Sequence, residues 1–365
     1  MEKVKLGIIG CGNISGAYFK GAQAFEIVEI KSCADLNMDV AQAQAEEYGV
    51  QAVTVDELLA DSEIEIVINL TIPAVHAKVS LQVLNAGKHV HSEKPFGINL
   101  EEAAEVLAVA KEKGLRVGSA PDTFLGAGLQ TCRKILDDNW IGDCVAGTAF
   151  MLSNGPESWH PNPAFFYKTG GGPMLDMGPY YMSALVHLLG PAKSVTGIAV
   201  KSFDERVAGC KEHFNERLPV EVPTHYSGII EFVNGALITV IISFDVFKHS
   251  LPRIELYGKE GSLAIPDPNT FGGDVKVFRP GNEDWEKVPY SHLYSENSRI
   301  IGAVDMAHAI QTDRPHRCNG EFAYHVLEIM MAFEKSNDCG GKYQLESTCE
   351  QPAPLPLGLL QGLLD

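Results

Sequence analysis

A glycine-rich turn directly after the first apolar run constrains the fold of this chain more than any other feature. The β-branched run Val4–Ile9 leads into Gly10-Cys11-Gly12-Asn13-Ile14-Ser15, and a helical stretch follows. Gly10 permits a tight turn, Gly12 leaves no side chain in front of a pyrophosphate, and Ser15 lets helix and strand pack closely. The N–H groups that open the helix would face the phosphates. The turn therefore predicts a dinucleotide-binding fold, with the cofactor against Gly10, Gly12, Asn13 and Ile14.

The first third of the chain alternates strand-like runs with helical stretches. The strand candidates are short and often β-branched, and they lie at 4–9, 27–32, 64–70, 89–92 and 116–119. Strands that alternate with helices imply a parallel sheet joined by right-handed crossovers. The fold class is therefore α/β, and we assign residues 1–121 to a Rossmann domain with a doubly wound parallel sheet.

Strand-like runs follow one another in the rest of the chain. They lie at 143–152, 192–203, 224–233, 236–247, 253–257 and 274–278, and helical patterns lie at 123–137, 299–311 and 321–334. Asn234-Gly235 between two apolar runs is a strong hairpin signal, because both residues tolerate positive φ. We therefore predict a C-terminal α+β domain with an open, mainly antiparallel sheet over residues 122–350. Residues 351–365, rich in Pro, Gly and Leu, form a C-terminal tail.

The composition argues against several classes of partner. Among 365 residues, 47 acidic and 29 basic side chains give a net charge of −18, which disfavours electrostatic binding to nucleic acid or to an anionic membrane. No apolar run approaches the roughly 18 residues of a membrane span, and the chain start lacks the pattern of a signal peptide. The eight cysteines show no metal-ligand spacing. We expect a cytoplasmic protein with reduced thiols and without a metal.

An acidic residue at the expected interval favours one dinucleotide. Asp35 lies twenty residues after Ser15 and follows the apolar run 27–33. There its carboxylate can accept hydrogen bonds from both ribose hydroxyls of adenosine. A 2'-phosphate would meet the same negative charge, and no arginine adjoins Asp35. The sequence therefore predicts NAD as the cofactor, with NADP less favoured.

Four segments together resemble the Gfo/Idh/MocA family of oxidoreductases, named for glucose-fructose oxidoreductase and inositol dehydrogenase. They follow the family's order: the glycine turn, Asn69-Leu70-Thr71-Ile72-Pro73 with His76, Glu93-Lys94-Pro95, and the run 170–178 from the triple glycine through Asp176. The resemblance implies a Rossmann domain and a C-terminal domain with an open sheet. It also implies a substrate cleft over the nicotinamide, and a homo-dimer or homo-tetramer formed through the C-terminal sheet.

The resemblance also implies roles for single residues. Thr71, Pro73 and His76 are similar to the loop near the nicotinamide and phosphates. Glu93 resembles a cofactor contact, and Lys94 resembles the active-site lysine at the edge of the cofactor. For His76, a purely local hydrogen bond is the alternative, since a histidine early in a helix often bonds to nearby backbone.

Independent chemistry agrees with a functional Lys94. A hydride leaves a carbinol carbon only as the hydroxyl proton is lost, and an ammonium beside that oxygen stabilises the developing negative charge. The strand before Lys94 would direct it to the crevice where parallel sheets hold ligands. Pro95 is expected to hold the preceding peptide bond cis.

The chain departs from the commonest family pattern at one site position. Asp176 matches the family aspartate, but Tyr180 stands where a histidine is usual. Positions four apart share a helix face, so Asp176 and Tyr180 can both project into the cleft. Some family members resemble this chain in using tyrosine as the acid/base, and a neighbouring Lys94 ammonium would stabilise its phenolate. The alternative is a buried aromatic Tyr180 and an Asp176 that only caps a helix.

Two further residues are candidate substrate contacts. His160 lies in a loop with Trp159 and prolines before the triple glycine, where it could line a sugar site. Tyr181 is the polar contact if Tyr180 is only structural. The alternative for His160 is an ordinary surface histidine.

These observations favour an oxidoreductase that uses NAD(P) to transfer hydride to or from a sugar, a polyol or a related hydroxy compound. Tyr180 would be the acid/base, Lys94 would polarise the reacting oxygen, and Asp176 would orient the substrate. Two other functions fit the same motifs: a glycoside hydrolase that uses bound NAD transiently, and a nucleotide-responsive regulator without chemistry. Lys94, Asp176 and Tyr180 argue against the regulator, which need not keep them.

Overall fold

The computed structural model describes residues 3–365. Its first sheet contains the strands β1 (Val4–Ile9), β2 (Val28–Ala34), β3 (Gln51–Ala52), β4 (Ile66–Asn69), β5 (His89–Ser92) and β6 (Val117–Ser119). All neighbouring strands of this sheet pair in parallel, in the order β3-β2-β1-β4-β5-β6. This order is that of a Rossmann sheet. The predicted fold class is therefore confirmed for the first part of the chain.

Helices connect these strands and cover the sheet. They are α1 (Ser15–Ala22), α2 (Met38–Tyr48), α3 (Val55–Ala60), α4 (His76–Asn85) and α5 (Leu100–Lys113). Leu6, Ile8 and Ile66 on the central strands are fully buried, as expected for a parallel sheet that is covered on both faces. The α5 helix begins with an Asn99 side chain that accepts from the Glu102 N–H, and it ends at Gly114 in the left-handed conformation. Because β1, β4 and β5 are neighbouring parallel strands, their carboxyl ends lie at the same edge of the sheet.

A second, mixed sheet follows. Its strands are β7 (Cys144–Leu152), β8 (Ala192–Val200), β11 (His225–Phe232), β12 (Leu237–Ser243), β13 (Ile254–Gly258), β14 (Ser262–Ile265), β15 (Val275–Phe278), β16 (Glu286–Val288) and β17 (Tyr343–Gln344), in the order β16-β15-β14-β13-β7-β12-β11-β8-β17. β9 (Glu205–Val207) and β10 (Arg217–Pro219) form a separate small ladder. β7 and β12 pair in parallel, and the other neighbours are antiparallel. The prediction of a mainly antiparallel second sheet is confirmed.

The predicted hairpin joins β11 to β12. The Gly235 N–H donates to the Phe232 carbonyl at 3.0 Å, and Gly235 has φ +92°. A glycine adopts this conformation without the steric penalty of a Cβ. The turn therefore fixes the register in which Ile230 faces Ile238.

The remaining helices pack on the two sheets. They are α6 (Ala127–Asp137), α7 (Gly172–Leu189), α8 (Ile301–Thr312) and α9 (Gly320–Cys339). The α6, α7 and α9 helices cover one face of the second sheet, and α8 packs on β4 and β6 of the first sheet. After α9 the short strand β17 joins the edge of the second sheet beside β8. In residues 3–365 we find no helix with the length and apolar character needed to cross a membrane.

The C-terminal tail packs against the rest of the molecule. Leu355 and Leu364 are buried, and the Leu355 N–H donates to the Gln130 side chain at 2.7 Å. The Arg314 guanidinium contacts the side chain of Asp365 at 2.7 Å. Residues 351–365 are thus held in place, although their sequence lacks a clear period.

Candidate active site

The glycine turn has the shape of a phosphate cradle. Gly10 has φ +99°, and a Cβ added there would lie 2.7 Å from the carbonyl group of Leu70. A Cβ added at Gly12 would meet nothing within 4 Å, so the turn opens onto free space in front of α1. These two observations fit the tight turn and the close backbone approach that a dinucleotide pyrophosphate requires.

Asp35 follows β2 and lies beside the glycine turn. Its carboxylate accepts hydrogen bonds from the N–H of Cys11 at 2.8 Å and from the N–H of Asn37 at 2.9 Å. These bonds hold the carboxylate beside the glycine turn. The next residue, Leu36, is 99% exposed and thus offers an apolar surface at the edge of the turn.

A cleft of about 570 Å³ lies between the two sheets, which is a common size for a small-molecule site. Most of the residues predicted for the site line this cleft. They are Asn13, Ile14, Thr71, Pro73, His76, Glu93, Lys94, His160, Asp176 and Tyr180. Residues that are far apart in sequence therefore meet in one cavity, which is continuous with the glycine turn through Asn13 and Ile14.

Lys94 reaches across the cleft to α7. Its Nζ lies 2.9 Å from Oδ1 of Asp176 and donates to the Asp176 carbonyl at 2.7 Å. The Lys94–Pro95 peptide bond is cis, as predicted. Burial disfavours the ammonium, but the charges of Asp176, Tyr180 and Glu93 outweigh it and raise the pKa of Lys94 above its usual range. Lys94 is therefore held as a cation inside the cleft.

Tyr180 lies one helical turn after Asp176 on α7. The Lys94 ammonium is 5.2 Å from the centroid of the Tyr180 ring, within the distance of a cation–π contact. Pro179 lies inside the helix just before Tyr180 and has no N–H to donate to the preceding turn. Lys94, Asp176 and Tyr180 thus form one contiguous cluster.

The carboxylate of Glu93 accepts hydrogen bonds from neighbouring protein groups. The Tyr18 hydroxyl of α1 donates to Glu93 Oε1 at 2.8 Å, and the Lys94 N–H donates to Oε2 at 2.9 Å. Glu93 thereby ties the turn that carries Lys94 to the helix that follows the glycine turn.

His76 joins two loops of the cleft wall. Its Nδ1 lies 2.9 Å from the Pro95 carbonyl oxygen, and its Nε2 lies 2.8 Å from that of Thr71. Burial lowers the pKa of His76 below its ordinary value. A neutral imidazole has one N–H, so His76 donates to one of these two carbonyl oxygens at a time. Its ring lies between the Thr71 and Pro95 loops at the border of the cleft.

A group of aromatic side chains, called here the aromatic wall, lines part of the cleft. It consists of Trp159, His160, Phe165 and Phe166, and the ring centroids of His160 and Phe166 are 4.9 Å apart. The His160 Nδ1 also accepts from the Asn162 N–H at 3.1 Å. Trp159 is 68% exposed at the cleft. Exposed rings beside polar groups are suited to contact the apolar faces of a sugar.

An arginine whose side chain is 10% exposed anchors the loop that carries this wall. Arg206 of β9 contacts Glu157 at 2.6 Å and Asp245 at 2.9 Å. The Tyr167 hydroxyl also donates to Glu157. The small β9–β10 ladder therefore has a role in positioning the loop, which the sequence did not indicate.

Tyr181 does not reach the cleft, and the predicted substrate contact at this residue is corrected. Its side chain is fully buried and does not line the cavity. Successive helix residues point about 100° apart, so Tyr180 and Tyr181 cannot face the same cavity. Tyr181 instead lies near Arg253 and Asp267.

Arg299 and Asn269 line the cleft but were not predicted from the sequence. The Arg299 Nη2 donates to the Asn269 side chain at 3.1 Å. Arg299 precedes α8 in a segment without a recognisable motif, and only the tertiary structure brings it to the site. Across residues 3–365, no group of three or more His, Cys, Asp or Glu side chains is arranged to hold a metal ion.

Two models of one family match most of the chain. The model described as an oxidoreductase family with an NAD-binding Rossmann fold matches residues 4–120. The model of the GFO/IDH/MocA C-terminal domain matches residues 129–264. The first match spans every strand of the first sheet, and the second spans β7 to β13 of the second sheet. The cleft residues Asn269 and Arg299 lie outside both matches.

Relatives and solved structures of similar length agree with these matches. Inositol 2-dehydrogenase of Rhizobium meliloti is 23% identical over 308 residues, which are 83% of this chain and 89% of that protein. D-glucoside 3-dehydrogenase of Escherichia coli is 24% identical over 358 residues, or 94% of this chain and 97% of that protein. The structure of levoglucosan dehydrogenase with NADH and L-sorbose has a TM-score of 0.81 at 20% identity, covering 95% of this chain and 100% of that one. At this identity the structural likeness supports the fold.

Proposed function

This chain belongs to the Gfo/Idh/MocA family of oxidoreductases, and we propose that it is an NAD-dependent dehydrogenase or reductase acting on the CH–OH group of a sugar, a polyol or a related hydroxy compound. One observation carries the proposal. Lys94, Asp176 and Tyr180 meet in a cleft that opens onto a glycine turn with the shape of a phosphate cradle. The dehydrogenase relatives named above support the substrate class.

The residues that would hold the cofactor are those of the glycine turn and the cleft floor. Gly10, Gly12 and the first N–H groups of α1 would bind the pyrophosphate, and Asp35 would accept from the ribose hydroxyls. Thr71, Pro73 and Glu93 border the other end of the site. When bound, the nicotinamide supplies hydride acceptance or donation to the reacting carbon.

The chain's own residues would move the proton and stabilise charge. In its phenolate form Tyr180 would take the hydroxyl proton of the substrate during oxidation, and as the phenol it would return that proton during reduction. The Lys94 ammonium would stabilise the oxygen that becomes negatively charged as the proton leaves. Asp176 would hold Lys94 at 2.9 Å and orient the substrate.

NAD is the dinucleotide that we propose over NADP. The carboxylate of Asp35 is fixed by two backbone N–H groups, and residues 36–39 carry no positive charge. A 2'-phosphate at this place would face an uncompensated negative charge.

We also propose that copies of the chain assemble through the outer face of the C-terminal sheet, as a homo-dimer or homo-tetramer. This face, which α7 and α9 leave uncovered, carries exposed apolar residues on three adjacent strands, namely Ile198, Ile229 and Leu237. A contiguous apolar surface of this kind typically marks an interface.

A substrate panel tests the proposed activity. Purified protein is mixed with NAD or NADP and a series of sugars, inositols and diols, and NADH formation is followed by absorbance together with sugar release. We expect NADH from at least one polyhydroxy substrate, with NAD preferred. Glycoside cleavage without net NADH would instead identify a hydrolase, and NAD binding without turnover of any substrate would contradict the proposal.

A further inference from the structure

Arg299 enters the cleft from the segment that precedes α8. It lines the same cavity as Lys94, Asp176 and Tyr180. Its guanidinium donates to Asn269 at 3.1 Å and to Asn297 at 3.3 Å, and it interacts with the hydroxyl of Tyr180. The Tyr180 side chain therefore has a cation from each wall: Lys94 over its ring and Arg299 at its hydroxyl.

The backbone around Arg299 is held in an unusual conformation. The next residue, Ile300, is fully buried and has φ +98°, a region that β-branched residues rarely adopt and that typically costs about 1–3 kcal/mol. The Asp122 carboxylate accepts from the N–H groups of Ile300 and Gly302, each at 3.1 Å. A conformation of this kind persists when the surroundings enforce it, and it occurs most often at functional sites.

Gly21 of α1 allows the Arg299 segment to approach this helix closely. A Cβ added at Gly21 of α1 would lie 2.1 Å from the carbonyl oxygen of Arg299. Only a residue without a side chain fits there. The Arg299 segment is thus held between the Asp122 carboxylate and α1. This fixes the backbone position from which the Arg299 side chain extends into the cleft.

The electrostatic surroundings keep Arg299 charged. Burial disfavours its guanidinium, but Tyr180, Asp122 and Glu93 outweigh this and raise the pKa of Arg299. Burial raises the pKa of Asp122 to about 6. The buried Asp122 carboxylate is attracted to the Arg299 guanidinium and accepts from backbone N–H groups at the start of α8, so it holds the segment that carries Arg299.

We propose that Arg299 is a positioning residue that, together with Lys94, orients the Tyr180 hydroxyl and stabilises its phenolate form. The proposal rests on the proposed function insofar as Tyr180 acts there as the acid/base. A phenol accepts a proton only in its deprotonated, negatively charged form. A positive charge within a few ångströms stabilises that form. Two cations on one phenol provide more of this stabilisation than Lys94 alone.

Other charges in the cleft act on Tyr180 at the same time. Asp176 lies on its own helix, Glu93 lies on the Lys94 turn, and these carboxylates oppose the effect of the cations. The titratable and charged side chains that line the cavity with Tyr180 are His76, Glu93, Lys94, His160, Asp176 and Arg299. Replacing Arg299 leaves the others in place, so the contribution of Arg299 can be isolated.

An absorbance titration tests the proposal without turnover. The phenolate spectrum is followed against pH in the wild type and in Tyr180→Phe, and their difference reports Tyr180. The same difference is measured between Arg299→Gln and the Arg299→Gln/Tyr180→Phe double variant. We expect the midpoint for Tyr180 to rise by at least about one pH unit in Arg299→Gln. A midpoint unchanged within a few tenths of a pH unit overturns the proposal.

Conservative and control variants separate charge from folding. Arg299→Lys keeps the positive charge, and we expect its midpoint to lie closer to the wild type than to Arg299→Gln. Arg279→Gln removes the same charge from an exposed position outside the cleft, and we expect no change. Arg299→Lys matching Arg299→Gln would contradict the role of charge, and circular dichroism checks that each variant is folded.

Kinetics then link the titration to activity. With a substrate from the panel, we expect kcat/KM of Arg299→Gln near neutral pH to fall roughly ten-fold and its pH profile to move upward by the same interval as the midpoint. A fall without movement of the profile would assign Arg299 a purely structural role and overturn the proposal. If no substrate is turned over by the wild type, the proposed function fails, while the titration still decides the role of Arg299.

Discussion

At the scale of single residues, the carboxylate of Asp35 is held in a defined place before any ligand binds. It accepts from the N–H groups of Cys11 and Asn37. This arrangement connects the glycine turn to the end of β2, so the cradle and the acid form one unit. A preorganised acceptor loses little entropy when it bonds to a ribose.

Removing this carboxylate should change the preference between dinucleotides. For Asp35→Ser we expect the affinity for NAD to fall about ten-fold, since hydrogen bonds to a charged group contribute about 1.5–3 kcal/mol, and the ratio of NAD to NADP affinity to fall further. Fluorescence titration with each cofactor measures this. Asp39→Ser, which removes a nearby exposed carboxylate, is the control. An unchanged ratio in Asp35→Ser would count against its role.

The sequence indicated that Lys94, Asp176 and Tyr180 meet in one cleft, because each lies in a short motif or at a helical spacing that determines its direction. Their catalytic roles stay a prediction. Arg299 lies in no motif, and its direction depends on the Ile300 conformation and on contact with α1, which are tertiary features. Tyr181 was wrongly included because the exact rotation of α7 cannot be read from two adjacent tyrosines.

At the scale of elements, the C-terminal sheet has two different faces. Helices α7 and α9 bury one face, on which Ile230 and Ile238 are fully buried. On the other face, Ile198 is 60% and Ile229 is 46% exposed. The alternation along β11 explains this difference, because successive side chains point to opposite faces of a strand.

A charged residue on the outer face should prevent assembly without unfolding the chain. By light scattering at micromolar concentration, we expect a dimer or tetramer for the wild type and a monomer for Ile198→Lys/Ile229→Lys. The thermal unfolding transition should remain cooperative. Val207→Lys on β9, which is also exposed, is the control and should not alter the mass. A wild-type monomer, or a double variant with unchanged mass, would refute assembly through this face.

The longest strands of the second sheet were predicted from the sequence, as were several short strands such as β5, whereas the two-residue strands were not. β7, β8, β11 and β12 have seven or more residues, and their apolar patterns and hairpin turn identified them. β3 and β17 have two residues each, which is too few for an alternation of period two to be recognised. These short strands form through pairing with longer neighbours, which is a property of the folded molecule.

At the scale of the whole molecule, buried histidines couple folding to pH. Burial lowers the pKa of His89, His316 and His325 to about 4 from an ordinary value of 6.5. The unfolded chain therefore binds protons that the folded chain does not bind between these values. Stability is fully present above pH 6.5 and is lost as the pH falls toward 4.

We expect the free energy of unfolding to be lower near pH 5 than near pH 7, by on the order of 2 kcal/mol for each of these histidines. Urea unfolding at the two pH values measures the difference. His325 accepts from the Ala192 N–H at 2.9 Å, and His325→Gln should reduce the pH dependence by roughly 2 kcal/mol. As a control, His213→Gln, at a more exposed histidine, should leave the pH dependence of the free energy of unfolding unchanged. If this pH dependence is equal in the wild type and in His325→Gln, the contribution assigned to His325 is contradicted.

At the same scale, the two sheets enclose the cleft that holds the Lys94 ammonium, and the proposed catalysis depends on this cation. The most direct test is to compare NAD affinity with turnover in Lys94→Ala, using Lys168→Ala at an exposed lysine of the cleft loop as the control. We expect Lys94→Ala to bind NAD almost as tightly as the wild type but to lose about 10²–10⁴-fold in kcat, while Lys168→Ala keeps both. Turnover by Lys94→Ala at the wild-type rate would contradict the proposed mechanism.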